Sequence, residues 1–459
     1  MNANENVKTI LGDPKKAIRK LAFPTILSML LLMVNNLTDA IFVAGLGGDA
    51  IAAIGFITPL FLVIIGIGNA IGAGANAYIA RALGERNQMK VNDGATHSVI
   101  IGIIVSAIIT VAMFIAWEPI LKIMGAGSAI GPALDYGNII FGCTILFILT
   151  NVFIGILRSE GDVKKATIIL AATAIVNMIL DPIFIYGLGL GIEGAAIATV
   201  LADAVAIAPM LYWFFVKKST FIRVSFKGFT YSKKVTRGII NVAIPSSAET
   251  LIMSALTIVI NSALVFVGGT DSVAVYTSGM RVTSFLIIPV IGIATALLSV
   301  CGAAYGARDA RKFKIAFKYA LKLGLKICGV VGIFLFIFSN QIALLFSYSP
   351  STAHLTDNIA QVLMVFAIDG LLKPFGVVGN AIFQSVSKGT TSLALTFMRC
   401  FLFEVIFVSV FTFVFGWGLF GVYGGIILGN VLASIITYVL SNCYVKKLCK
   451  TYNKEDVIE

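Results

Sequence analysis

Charge is what this 459-residue chain has least of: 12% of its residues are Asp, Glu, Lys or Arg, against roughly 25% in soluble domains. Lys and Arg are absent altogether from residues 21 to 80, a stretch that holds two bilayer crossings at about 20 residues each. With 58% hydrophobic residues and a mean hydropathy of +0.98, that shortage excludes a large soluble enzyme and predicts a polytopic membrane protein. Histidine is scarce too, with His97 and His354 alone. No H-E-x-x-H, nucleophile elbow or paired cysteine ligands occur, so zinc chemistry and intramembrane proteolysis have no residues to run on and an enzyme is not expected. The six cysteines, Cys143, Cys301, Cys328, Cys400, Cys443 and Cys449, have no metal-ligand spacing. They read as small core residues rather than a disulfide framework. No hydrophilic stretch much exceeds about 20 residues, too few for a nucleotide-binding domain, and G-x-x-x-x-G-K-[ST] is absent. No cofactor is expected, and any transport must be driven by ion gradients. No cleavable signal peptide is evident: the first 20 residues are polar and basic, and the apolar run after them is too long for an h-region.

What is present is apolar length. Twelve helices are expected, over about 18–43, 50–80, 94–117, 132–157, 166–187, 192–216, 237–267, 271–303, 316–340, 355–384, 389–415 and 419–446. An even number puts both termini on one side. The net charge of +12 identifies that side, because 30 of the 34 bases fall at the termini and in or beside the loops after even-numbered helices. By the positive-inside rule both termini face the cytoplasm. Bases placed this way are no sign of nucleic acid. The expected location is the cell membrane, multi-pass, with lipids and a small organic molecule as partners and a single chain as the working unit.

The chain repeats itself. "LAFPTIL" (21–27) answers to "VAIPSSA" (242–248), "ARALGERNQMK" (80–90) to "AAYGARDARK" (303–312), and "GIEGAAIAT" (191–199) to "GLFGVYGGI" (418–426). Each half holds six helices that start on the same side, so these are parallel repeats, with a site expected near the midplane between them. The expected division is an N-lobe over 1–216, a basic cytoplasmic linker over 217–236, and a C-lobe over 237–459. An ordinary positively charged loop accounts for the linker. "GLGIEG" (189–194) matches G-x-G-x-x-G but follows a helix, and is read as a tight helix–helix turn. "NLT" (36–38) is a glycosylation sequon by pattern, discarded because it lies inside a span.

Ionisable residues within spans are functional candidates. The second half carries Glu249, Arg281, Asp369, Lys373, Arg399 and Glu404, which sum to zero. The first carries Asp39, Asp181 and Asp203 and no base. Three acids cannot stay ionised and dry, so they take up protons, bind a cation or face water. Asn35 and Asp39 are spaced i, i+4, as are Asn177 and Asp181, and Thr199 and Asp203; each pair shares a helical face. Such oxygens suit Na⁺, and the carboxylates alone suit H⁺. For Asn35, Asn177 and Thr199 a hydrogen bond to a neighbouring helix competes with ligation, and Asp203 has an open claim to face elsewhere. In the second half Glu249 has no local base, whereas Asp369 and Lys373 at i, i+4 are candidates for a self-satisfied ion pair. Pro24 and Pro245 stand at equivalent positions, and Pro182 follows Asp181 directly; proline kinks a helix and frees carbonyls. Gly66, Gly68, Gly72 and Gly74 read mainly as close packing.

These residues together resemble the multidrug and toxic compound extrusion (MATE) family. The resemblance spans essentially the whole chain: two six-helix halves, the paired prolines, "NNLTDAIFVAGLG" (35–47), "NMILDPIFIYGLGLGIEGAAIAT" (177–199) and Glu249 in "PSSAETLI". It implies an all-α membrane protein of two six-helix lobes that exports drugs or metabolites, amphipathic cations among them, in exchange for H⁺ or Na⁺ by alternating access. It implies a cation site of Asp39, Asn177, Asp181 and Thr199 in the N-lobe. Glu249 and Asp369 fall at places similar to those of acids associated with another bacterial group. A lipid-linked saccharide flippase of the same wider superfamily is the rival; it would want bases lining its cavity.

Overall fold

The computed structural model describes residues 3–46, 48–123, 127–347 and 353–455, and among these it is helix and turn, with no strand. Gly47, which ends one of the family-like motifs, and residues 456–459 of the tail lie outside the described residues. A short helix α1 (Ala3–Leu11) precedes α2 (Pro14–Ala44), α3 (Gly48–Gly84), α4 (Gln88–Ile123), α5 (Ile130–Gly142), α6 (Thr144–Ser159), α7 (Val163–Pro182) and α8 (Gly191–Leu211). The second half holds α9 (Lys233–Gly306), α10 (Ala310–Ile337), α11 (Ser339–Phe346), α12 (Thr356–Gly370), α13 (Lys373–Ser385), α14 (Gly389–Phe397), α15 (Ile406–Ser409) and α16 (Gly418–Glu455). α9 is two successive spans, parted by a kink at Gly269, where φ is 69°.

Ten helical stretches are long and apolar enough to cross a bilayer, and two bent pairs, α5 with α6 and α12 with α13, bring the spans to twelve. The molecule is an all-α multi-pass membrane protein of twelve spans. The two bent spans differ from the expected straight helices. α5 meets α6 at 46°, where the Thr144 and Thr110 hydroxyls donate to the Phe141 carbonyl at 2.7 and 3.2 Å and so replace a backbone partner. α12 meets α13 at 44° because Pro374 has no N–H to give and disfavours helix at the residue before it. Helices α1 and α11 were not among the expected twelve.

The internal repeat is visible in backbone geometry. Arg86 and Arg308 both have positive φ, 55° and 56°. Each is followed by a helix-capping side chain: Asn87 accepts from Lys90 N at 3.0 Å, and Asp309 from Lys312 N at 2.8 Å. The turn read in "GLGIEG" is a turn, with Gly189 and Gly191 at positive φ, and Gly416 and Gly418 repeat it. A π-helical stretch precedes each: Ile183–Gly187, directly after Pro182, and Val410–Val414. Gly194 and Gly421 then let the following helix close on it, since a Cβ at either would stand 2.6–2.7 Å from a backbone atom of Phe184 or Phe411.

Two compact units emerge. One comprises Met1–Gly12 with Leu27–Ser247, the other Asp13–Ile26 with Ala248–Glu459. In the first, α3 and α6 nearly touch: a Cβ on Gly72 would lie 2.6 Å from the Asn151 carbonyl, and one on Gly155 within clashing distance of the Gly72 carbonyl. Trp117 is fully buried there, its Nε1 donating to Ala133 O at 3.2 Å.

Residues 217–232 run as a strap over one end of the first unit, and side chains capture their backbone N–H groups. Ile222 N donates to Glu160 Oε2 at 3.1 Å, Arg223 N to Asn92 Oδ1 at 3.0 Å, Ser225 N to Thr96 Oγ1 at 3.3 Å and Ser232 N to His97 Nε2 at 3.0 Å. His97 also stacks near Phe229, with ring centroids 4.7 Å apart. The basic linker is therefore an ordered, docked segment. Glu160 is 1% exposed. Burial pushes its carboxyl up to about 8; the Ile222 and Phe221 amides and Lys165 oppose that rise and Asp162 adds to it. A group raised in the docked state favours docking while it is protonated, and the advantage is lost progressively as pH rises to about 8. Hydrogen exchange at the Ile222 amide, corrected for its intrinsic rate, is expected to speed up in the native chain as pH rises from 4.5 to about 8, to level off above that, and to stay flat in Glu160→Gln.

Candidate cation site

In the first unit α2 carries Asn35 and Asp39 one turn apart, and α7 carries Asn177 and Asp181 likewise. Asn35 Nδ2 donates to Asn177 Oδ1 at 3.0 Å, and Asn177 Nδ2 donates to Asp181 Oδ1 at 3.0 Å. Only an amide nitrogen can face a carboxylate oxygen favourably, so Asp181 sets the orientation of both amides in turn. The carboxyl of Asp39 lies within hydrogen-bonding reach of Asp181. Asp181 is 0% and Asn177 5% exposed; Asn35 and Asp39 are half-buried. Two buried oxygens, Asn35 Oδ1 and Asp181 Oδ2, find no amide or hydroxyl donor among the described residues. A proton or a metal cation between the carboxyls would engage the second of them.

Thr199, on α8, donates to Ala195 O at 3.0 Å. With that proton committed, the hydrogen bond between Thr199 and Tyr136 runs from the tyrosine hydroxyl to the threonine oxygen. Tyr136, on α5, is 7% exposed and is electrostatically close to both Asp39 and Asp181. It ties Thr199 to the carboxyl pair. Sequence reasoning missed it, and its one signal was a phenol inside an apolar run, which tyrosines near membrane interfaces also give. Asp203, 7% exposed, faces Thr150 instead and stands apart from the pair. Among the described residues no lysine or arginine neighbours Asp39, Asp181 or Asp203.

The second unit settles its charges internally. Lys373 Nζ meets Asp369 Oδ2 at 2.8 Å across the break between α12 and α13. Glu404, buried, feels Arg399 and Lys373 as well as Asp369. Glu249 accepts from Gln384 Nε2 at 3.4 Å and neighbours Ser392 and Arg399. Arg281 is exposed. Glu249 and Asp369 thus belong to a network with bases in it, unlike the carboxyl pair of the first unit. The donors of that pair are all oxygen, a set that suits hard monovalent cations or protons. Among the described residues no three His, Cys, Asp or Glu side chains gather as a metal cluster.

Twelve apolar spans in two internally repeated halves, with a base-free carboxyl pair buried in one of them, define a membrane transporter. The MatE family model matches residues 24–183 and 245–410, one segment in each half. The chain belongs to the MatE family and is a MATE efflux transporter. A crystal structure of MATE in complex with MaL6 is 36% identical, with a TM-score of 0.95 over 97% of this chain and 99% of that one. A MOP superfamily transporter from Pyrococcus furiosus, described as having a binding pocket of reverse polarity, is 36% identical with a TM-score of 0.93, covering 96% and 98%. The FAD transporter of Shewanella oneidensis is 28% identical over 73% of this chain and 75% of its own. The multidrug export protein MepA of Staphylococcus aureus (strain N315) is 24% identical over 93% and 94%.

The amide relay makes Asn35 and Asn177 one unit. Asn35→Ala and Asn177→Ala are expected to be non-additive, with a coupling of about 0.5–3 kcal/mol. Equilibrium unfolding of both single variants and the double variant in detergent measures it; simple addition would show that the amides act separately.

Proposed function

We propose that this protein exports amphipathic, cationic organic compounds by alternating access, in exchange for Na⁺ or H⁺ bound at Asp39 and Asp181. The observation that carries the reading is the carboxyl pair itself: two acids within reach of each other, a donor-less oxygen between neighbours, and no base nearby. Such a pair holds one net charge far more easily than two, so it takes up a cation whenever it is closed from water. Asn177 orients Asp181, Asn35 orients Asn177, and Tyr136 with Thr199 lines the same cluster. Coupling requires the ion and the substrate to prefer different states of the cycle. Neutralising the pair favours a state that releases substrate outward, and return to the inward state releases the ion.

The multidrug export relatives support an organic substrate class, and the chain's 33 Phe and 12 Met are residue types that suit amphipathic cations through apolar and cation–π contact. The distribution of bases supports placing both termini in the cytoplasm, with the chain in the cell membrane. The flippase alternative is not favoured by these relatives. Of the three bases it could use, Lys373 is already held by Asp369 and Arg281 is exposed.

Efflux of a cationic dye from proteoliposomes, under Na⁺ and pH gradients imposed separately, tests the reading. Asp39→Asn and Asp181→Asn are each expected to abolish gradient-driven efflux, while Asp369→Asn retains much of it. Full ion-driven efflux in both N-lobe variants would sink the assignment, and the gradient that drives the native protein identifies the ion.

A further inference from the structure

The carboxyl pair leaves unexplained where the bases of α10 stand. This helix has six of them and no acid. Lys312 is buried. The other five, Arg311, Lys314, Lys318, Lys322 and Lys326, are all exposed and recur every three or four residues, so they form one stripe along one face. The stripe rises about 22 Å along the helix axis at 1.5 Å per residue. Arg19 adds a sixth base beside it, its guanidinium 6.0 Å from the ring centroid of Tyr319. Among the described residues none of the five forms an ion pair. The nearby acids, Asp13 and Asp309, engage Lys312.

The same face then changes character without changing direction. Val330, Ile333, Phe334 and Ile337 continue it and are 53–72% exposed, as lipid-facing side chains are. About 20 residues span the hydrocarbon core. Counted back from Ile337, they reach Lys318, so Lys318 sits at the depth where headgroups meet acyl chains, with Lys322 and Lys326 about one and two turns inside it. Lysines there extend their ammonium groups toward phosphate along their own methylene stems. A solvated loop scatters its bases over all faces. Here every exposed base faces outward, in register with the apolar stripe above it. A ligand that matches both halves must itself be an anion joined to a hydrocarbon.

We propose that the outer face of α10 is a binding site for anionic phospholipids, their phosphates drawn to the stripe of Lys314, Lys318, Lys322 and Lys326 and their acyl chains lying along Val330 and Phe334. The occupant is a lipid of the leaflet on the side of the basic loops. A soluble polyanion would meet only the charged half of the face, and a neutral lipid only the other half. Clusters of four to eight bases beside a span act this way, and their attraction accumulates per base.

Native mass spectrometry of the full-length protein in neutral detergent tests the site. The probes are phosphatidylglycerol and phosphatidylcholine with the same acyl chains. The native chain is expected to hold a small number of phosphatidylglycerol molecules preferentially. The variant K314Q/K318Q/K322Q/K326Q is expected to weaken that binding at least about tenfold. A control that removes the same charge from the strap, K217Q/K218Q/R223Q/K227Q, is expected to leave it unchanged, and the four-arginine version of the stripe to retain it. Equal weakening in stripe and strap variants would overturn the proposal in favour of diffuse charge. Equal retention of phosphatidylcholine would reduce the face to ordinary lipid contact. Displacement by inorganic phosphate at concentrations where intact lipid competes would make it a free-phosphate site. Should the fourfold glutamine variant not fold, Lys322→Gln and Lys326→Gln singly decide the matter, each expected to weaken binding severalfold.

Discussion

Two carboxyl groups that approach each other in a low-dielectric interior cannot both be charged, and the first unit is built around that constraint. Asp39 and Asp181 meet with no base to share the burden. Everything near them donates or orients: Asn177 to Asp181, Asn35 to Asn177, Tyr136 to Thr199. Removing an acid from such a cluster would relieve a penalty rather than break a bond. The cluster's presence in a marginally stable membrane protein is therefore an argument for use, because structure alone gains little from it.

The second unit shows that the same scaffold stands without this arrangement. Its acids have partners on the page: Lys373 for Asp369, Arg399 and Lys373 for Glu404, and Gln384 for Glu249. Backbone features repeat between the halves closely, down to the π-helical stretch before a two-glycine turn and the glycine that closes on it. The polar chemistry does not repeat. One half gives its acids bases or an amide as partners, and the other leaves two neighbouring carboxyls with no base beside them among the described residues.

Much of this was legible in the sequence because the signals are local. Apolar length gave the spans, and i, i+4 spacing put Asn177 beside Asp181 and Lys373 beside Asp369, as found. Charge counting separated the halves. What escaped depended on partners far along the chain. The break at Cys143 rests in part on a hydroxyl from Thr110 on another helix, and Gly142 beside it is one of many glycines in the spans, too common to announce a bend. Tyr136 matters through Thr199, 63 positions on. The strap looked like an ordinary basic loop because its order comes from backbone N–H groups captured by Glu160, Asn92, Thr96 and His97, and a sequence does not display where backbone hydrogen bonds go. Asp203 shares a helix with Thr199, yet it turns to Thr150, a matter of a third helix's position.

Arg86 and Arg308 hold a backbone conformation that glycine adopts at little cost and that is strained by about 1–3 kcal/mol for other residues. Neither turn has exchanged its arginine for the easier residue, although most of the sequence around them has drifted apart. An ancestral half-length protein, joined to its own copy, would have carried the same strained corner twice, and the paired backbone angles are what such a duplication would leave behind.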